Sequence, residues 1–149
     1  MTTSRVRVRR ADPEPWKGVR PPMTEFETPH WPTEIRLKQA EKALEIDFDN
    51  GVTFRYPAEL LRVESPSAEV QGHGPGQKQI VAGRAHVGIL GVEPVGNYAI
   101  RIRFDDLHDT GIYSWPYLYR LGEKQAEIWD AYLKALEERG LSREPKRRG

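Results

Sequence analysis

The residue types that support acid–base catalysis are concentrated around one histidine of this chain. His108 lies in the acidic run DDLHD at 105–109. A carboxylate beside an imidazole fixes the tautomer of the ring and raises its pKa, so His108 with Asp105 or Asp109 has the composition of a general base. Acidic residues around a histidine are also ordinary β-turn chemistry, and no candidate nucleophile lies nearby in the sequence. Both interpretations remain open from sequence alone.

Metal binding is the second chemistry to consider, and it depends on histidine because cysteine is absent. That absence excludes disulfides, thiolate zinc sites, iron–sulfur ligation and cysteine nucleophiles. A zinc site would then need three or four imidazoles or carboxylates at about 2 Å from the metal. The histidine spacing does not require this, so we expect no cofactor and no metal. A residual site at His73 and His108 stays open if their loops meet.

Two further patterns point to anionic ligands without being specific for them. The run GHGPG at 72–76 is rich in glycine, but it lacks the lysine and hydroxyl residue of a phosphate-binding loop, so we interpret it as a flexible turn. Aromatic residues at 113–119 lie near several arginines, a mixture that stacks single-stranded nucleic acid. Strand alternation would place some of these rings in a core instead. Nucleic acid is therefore not the expected partner.

Apolar residues at alternate positions predict the strands that must hold these groups. They alternate in three segments, around Ile35, Leu44–Phe48 and Val52–Tyr56, and Asn50-Gly51 between the last two is a strong hairpin signal. The aromatic-proline pair at 56–57 ends the third strand, and AELLRV at 58–63 reads as a short helix.

The second half of the domain repeats this order less perfectly. Strands are expected at 87–92, 98–104 and 112–115, followed by Trp115-Pro116 and a short helix. Between the halves lies a long loop at 64–79. A last amphipathic helix at 123–139 carries an apolar stripe expected to pack on the sheet. The stripe consists of Ala126, Trp129, Leu133 and Leu136, with Tyr132 beside it.

These elements define the expected architecture. We predict a β-rich α+β fold, with antiparallel hairpins in one or two small sheets, short helices and a C-terminal amphipathic helix. The domain should span 32–140. Residues 1–31 should form a disordered basic, proline-rich tail, with Met23 as an alternative start, and 141–149 a second disordered basic tail.

Composition adds few constraints on function. Charged residues make up 30% and hydrophobic residues 38% of the 149 positions, with a formal net charge of +1. This profile matches neither a nucleic-acid coat nor a membrane protein, and no signal peptide is evident. We expect a cytoplasmic protein, and the sequence leaves its oligomeric state open.

The order of several short motifs resembles the γ-butyrobetaine hydroxylase-like N-terminal domain family, a domain of unknown function. The first half contributes IDFDNG at 46–51, YPA at 56–58 and LR at 61–62. The second half contributes IRFD at 102–105, His108 and the aromatic turn at 115–118. The resemblance covers about Pro32 to Gly122. Within the family, the chain most resembles the stand-alone bacterial members.

The resemblance implies that the family's metal is lost here. In the hydroxylase this module binds structural zinc through three cysteines and one histidine. These positions correspond to Ser65, Ser67, Val70 and His108 in this chain. Hydroxyls are poor zinc ligands beside thiolates, and a valine offers no donor. Because the chain ends where the catalytic domain would begin, we also expect the hydroxylase's iron chemistry to be missing.

Two functional hypotheses follow. The leading one is a non-enzymatic accessory module that binds a protein partner, with a partner in metal-cluster or cofactor metabolism suggested by the resemblance. Its predicted surface combines Gln71, Gly72, His73 and Gly74 with Asp105, His108, Asp109, Tyr113 and Trp115. The alternative is a small-molecule or metal-binding protein, or an enzyme, that uses His108 with Asp105 or Asp109. It predicts a concave pocket beside these residues.

Overall fold

The computed structural model describes residues 3–7, 30–71 and 78–145. The strands are β1 Thr3–Arg7, β2 Pro32–Lys38, β3 Ala43–Phe48, β4 Thr53–Pro57, β5 Ile89–Val95, β6 Ala99–Phe104 and β7 Ile112–Ser114. The helices are α1 Ala58–Val63, α2 Ala68–Gln71, α3 Trp115–Glu123 and α4 Gln125–Glu138, with one 3-10 turn at Gln39–Glu41. In these ranges no helix is both long enough and apolar enough to cross a bilayer.

The strands form two antiparallel sheets. The first has the order β1-β2-β3-β4 and the second the order β5-β6-β7. Alternation puts Ile35, Leu44 and Ile46 of the first sheet, and Ile100 and Ile102 of the second, into one buried core. The predicted α+β fold with small antiparallel sheets is confirmed.

Each hairpin leads through an aromatic-proline pair into a helix that closes the core. The turn between β3 and β4 uses Gly51 at φ +86°, a backbone conformation that favours glycine. After Tyr56-Pro57 comes α1, in which every residue is buried. After β7, the Ser114 side chain caps α3 by accepting from the Tyr117 amide. The Tyr56 hydroxyl then donates to the Leu118 carbonyl at 2.6 Å, which ties β4 to α3.

The amphipathic helix packs differently from the prediction. Tyr132 and Leu136 are buried against Val63 and the segment 80–82, and the Tyr132 hydroxyl donates to the Val81 carbonyl at 2.5 Å. Trp129 is half-buried between this cluster and the main core. Ala126 and Leu133, two members of the predicted stripe, are exposed. The helix therefore buries mainly its Tyr132–Leu136 face, because the segment 80–82 supplies the apolar surface there.

Both predicted tails differ from expectation where the structure describes them. Thr3–Arg7 form a strand paired antiparallel with β2, because the first sheet leaves that edge open. Near the other end, the Gly83 and Ala85 amides donate to the Ser142 and Arg143 carbonyls. The Arg143 guanidinium also pairs with the buried Glu59 at 2.7 Å. At 3–7 and at 142–143 the structure therefore shows pairing with the rest of the domain where disorder was expected, while residues 8–29 and 146–149 lie outside the described residues.

Candidate functional site

Two serines and a histidine from distant parts of the chain meet inside the domain. The Nε2 atom of His108 lies 2.9 Å from Ser65 Oγ and 3.3 Å from Ser67 Oγ. The two hydroxyl oxygens are 3.2 Å apart. Ser65 is fully buried, and Ser67 and His108 are each 6% exposed. We call these three residues the Ser–Ser–His cluster.

Backbone geometry places each member of the cluster. Ser65 follows the end of α1, and the Ser67 carbonyl accepts from the Val70 and Gln71 amides in the first turn of α2. His108 is held across the β6–β7 turn, where its carbonyl accepts from the Phe104 amide at 3.0 Å. The cluster therefore links the α1–α2 connection to the second sheet.

Glycine is required beside the cluster for steric reasons. A Cβ atom on Gly111 would lie 2.3 Å from Ser65 Oγ and 3.1 Å from the Tyr113 ring. The hydroxyl of Ser65 thus fills the space in front of Gly111. Among the described residues, the groups that contact Ser65 Oγ and the His108 Nε2 atom are therefore parts of the packed fold itself.

The residues of the cluster do not fit the zinc that the resemblance implies. Their donors are one imidazole and two neutral hydroxyls, and the fourth position is Val70, which is 1% exposed and apolar. In the ranges 30–71 and 78–145, no three histidine, aspartate or glutamate residues come together as a metal site. Hydrogen bonds hold the segments here, and no metal-dependent step can be derived from these donors.

Asp106 was not part of the predicted binding surface, but it organises the polar groups around His108. Its Oδ1 atom accepts from the His108 amide at 3.1 Å, and its Oδ2 atom accepts from Arg62 Nε at 2.7 Å. Arg84 Nε lies 2.8 Å from the same Oδ2 atom, as an ion pair without hydrogen-bond alignment. Burial alone would raise the pKa of Asp106, but Arg62 and the His108 amide outweigh it and hold that pKa below its ordinary value.

Three of the predicted surface residues lie in the core instead. Tyr113 is fully buried and donates its hydroxyl to the Leu61 carbonyl at 2.5 Å, and burial raises the pKa of this hydroxyl. Trp115 is 4% exposed and donates Nε1–H to the Asn97 carbonyl at 2.9 Å. His108 belongs to the buried cluster. The inward position of Tyr113 follows from strand alternation in β7, and that of Trp115 from its place as the first residue of α3.

Of the remaining predicted residues, Gln71 contacts the cluster, Asp105 and Asp109 do not, and the others lie beyond the described ranges. Asp105 and Asp109 are exposed in the turn, and Gln71 is partly buried with its amide on the Ser65 carbonyl at 2.9 Å. Gly72, His73 and Gly74 lie outside the described residues. The predicted meeting of 71–74 with the 105–109 turn thus remains a prediction.

Two hollows in the described surface lie away from His108, Asp105 and Asp109. One, of about 240 Å³, is lined by Glu64, Gln71, Tyr117, Arg120, Leu121 and Ile128. The other is a groove of about 510 Å³ beside β4, lined by Thr53, Phe54, Arg55, Pro57, Leu60, Gly122, Glu123, Gln125, Ala126 and Trp129. Neither is the pocket beside His108 that the enzyme hypothesis predicts.

Comparison with known families and structures gives one consistent result. Residues 35–119 match the family described as gamma-butyrobetaine hydroxylase-like, N-terminal. No functionally curated protein matches the chain. A protein of unknown function from Acidithiobacillus ferrooxidans, solved by crystallography and placed in the DUF971 family, is 43% identical. That match covers 61% of this chain and 91% of the other, with a TM-score of 0.52.

Two proteins solved in solution by NMR align over more of the chain. One is 47% identical, covers 83% of this chain and 92% of its own, and has a TM-score of 0.71. The other is 43% identical, covers 79% and 93%, and has a TM-score of 0.70. Since 92% and 93% of these two chains are matched, the likeness extends over nearly their whole length.

Proposed function

The chain belongs to the γ-butyrobetaine hydroxylase-like N-terminal family, and we propose that it is a non-enzymatic accessory module that binds a protein partner. The proposal rests on how the molecule uses its chemical groups. Ser65, His108 and Tyr113 direct their polar atoms to internal hydrogen bonds. The surface beside them carries an apolar side chain that is exposed and does not belong to the core.

That side chain is Leu107, which carries the proposal. Its side chain is 84% exposed, and its backbone has φ +72° in the turn between β6 and β7. The left-handed conformation costs a leucine about 1 kcal/mol, and glycine or asparagine adopts it more readily. Exposure means that no burial within the described fold offsets this cost. Backbone strain and exposed apolar surface are both typical of binding sites, so a leucine that combines them is a candidate contact residue for a partner.

The surroundings of Leu107 define the chemistry of the partner. Asp105 and Asp109 flank it, both are exposed, and neither forms an ion pair among the described residues. Ile112, 45% exposed, begins the next strand. A complementary surface would offer an apolar pocket for Leu107 with lysine or arginine at its rim. Proteins of metal-cluster or cofactor metabolism are the first partners to test, as the family resemblance suggests.

Substitution of Leu107 tests this function directly. Leu107→Gly should relieve the backbone strain and raise the free energy of unfolding, while it removes the contact side chain. Partners recovered with the tagged wild-type protein and quantified by mass spectrometry should be depleted at least tenfold with the variant. Leu141→Gly, at a leucine that is 39% exposed near the chain end, is the matched control. Equal recovery of every partner by wild type and Leu107→Gly would refute the assignment.

A further inference from the structure

The groove beside β4 combines an open sheet edge with an apolar floor. β4 is the last strand of the first sheet, so among the described strands one of its sides has no neighbour. Phe54, Leu60 and Trp129 line the groove next to this edge. Phe54 is fixed by packing against Gly122, where a Cβ atom would lie 2.4 Å from the ring. The groove floor is therefore a rigid part of the fold.

Hydrogen-bond register shows which backbone groups of β4 face outward. The Phe48 amide bonds to the Val52 carbonyl at 2.8 Å, and Ile46 pairs with Phe54 two residues further along. In an antiparallel pair, bonded and non-bonded positions alternate, so the amides and carbonyls of Thr53 and Arg55 point away from β3. The Arg55 carbonyl confirms this direction, because it accepts from the Gln125 side chain at 2.9 Å.

The charges around the groove favour a basic ligand. Arg55 is neutralised by Glu41 at 3.1 Å and Glu45 at 2.9 Å. Glu123, also on the groove wall, is exposed and forms no ion pair among the described residues. Of the two charged residues that line the groove, Arg55 is therefore compensated and Glu123 is left as a negative charge.

We propose that the β4 groove binds an extended basic peptide, which adds to the free edge as a further strand. Its backbone bonds to Thr53 and Arg55, an apolar side chain rests against Phe54 and Trp129, and a lysine or arginine lies beside Glu123. The Gln125 amide occupies the Arg55 carbonyl in the free protein and is displaced on binding. This surface is independent of Leu107, and the inference stands whether or not the Leu107 surface binds a partner.

Three labelled octapeptides test the inference on the full chain. The first contains only valine, leucine and lysine, the second replaces each lysine with glutamate, and the third is the first with alternate backbone nitrogens methylated. Fluorescence polarisation should show saturable binding of the first peptide and at least tenfold weaker binding of the other two. NMR shifts should centre on the Thr53 and Arg55 amides and on the Trp129 indole.

Matched variants separate the groove from general acidity. Glu123→Lys should weaken binding of the lysine peptide at least fivefold, whereas Glu138→Lys, the same change at the far end of α4, should leave it unchanged. Gln125→Ala should strengthen binding, because it frees the Arg55 carbonyl. Leu107→Gly should have no effect on this assay, so failure here and failure at Leu107 can be distinguished.

Several results would overturn the inference. No saturable binding, equal effects of Glu123→Lys and Glu138→Lys, or shifts confined to other surfaces would each do so. Undiminished binding of the methylated peptide would rule out strand addition. Shifts at Thr53 and Arg55 that depend on protein concentration without peptide would assign the edge to a second copy. Changed Thr53 and Arg55 shifts without peptide, on removal of 8–29 with β1 retained, would assign it to the chain's own segment.

Discussion

Ser65 and His108, which are 43 residues apart in sequence, form a buried 2.9 Å contact between hydroxyl and imidazole. In the family resemblance these are two of the positions that hold structural zinc. The contact joins the α1–α2 connection to the β6–β7 turn, which a shared metal would also do. We expect this hydrogen bond to stabilise the junction of the two segments, and stability measurements test that expectation.

Ser65→Ala should reduce the free energy of unfolding by about 1–2 kcal/mol, because it removes one partner of a buried polar group. Among the described residues, the His108 Nε2 atom then retains the longer 3.3 Å contact to Ser67. Urea denaturation followed by circular dichroism measures the change. Ser142→Ala, at an exposed serine, is the control and should change stability by less than about 0.5 kcal/mol. A loss at Ser65 no greater than at Ser142 would show that the contact is not stabilising.

Gly111→Ala should destabilise the protein by about 1–3 kcal/mol, since the new Cβ atom would overlap Ser65 Oγ. The double variant Gly111→Ala with Ser65→Gly should lose less stability than the sum of the two single changes. Denaturation of all four proteins gives the coupling free energy directly. Strict additivity would mean that Gly111 is limited by its other neighbour, the Tyr113 ring.

Acid stability should depend on Asp106. Its pKa is lowered in the fold, so its contribution is present above the unfolded pKa of about 4 and is lost as the pH falls through the lower folded value. Asp106→Asn should cost about 2 kcal/mol at neutral pH, because Arg62 and Arg84 lose their shared carboxylate, and the cost should shrink toward pH 3. The measurement is urea denaturation at several pH values.

The same turn provides the control for this experiment. Asp109→Asn removes an equal charge from an exposed position and should leave the pH profile nearly unchanged. If both substitutions gave parallel profiles, general charge rather than the Arg62 pairing would explain the acid sensitivity.

The local elements of the fold could be predicted because their signals are short-range. Asn50-Gly51 requires a left-handed turn, and Tyr56-Pro57 fixes where β4 gives way to α1. The strand at Thr3–Arg7 could not be predicted, since its partner β2 begins at Pro32 and only the open sheet edge specifies the pairing. The same holds for Arg143 with Glu59, which are 84 residues apart.

The site was predicted less completely than the fold. The resemblance selected Ser65, Ser67 and His108, and the structure brings these three together. Reasoning from residue type selected Asp105 and Asp109, whereas Asp106 bonds to the His108 amide. In this turn Asp105 is exposed and Asp106 is partly buried, and Leu107, which follows them, has a left-handed backbone. Backbone conformation of this kind is not visible in composition or spacing.

Restoring thiolates should restore a metal site. The triple variant Ser65→Cys, Ser67→Cys and Val70→Cys would supply three sulfur ligands beside His108, the donor set for tetrahedral zinc. We expect one zinc per chain by mass spectrometry under native conditions, and thiolate-to-cobalt absorption on titration with Co²⁺. Metal should also raise the melting temperature, because it binds only the folded state.

A fourth substitution identifies the ligands of this designed site. Adding His108→Ala to the triple variant should weaken zinc binding at least tenfold, while adding His86→Ala, at an exposed histidine paired with Glu144, should not. Equal affinities in the two backgrounds would mean that the three thiolates bind zinc without His108. The Ser–Ser–His cluster would then not correspond to the family's metal position, and the present hydrogen bonds would need another explanation.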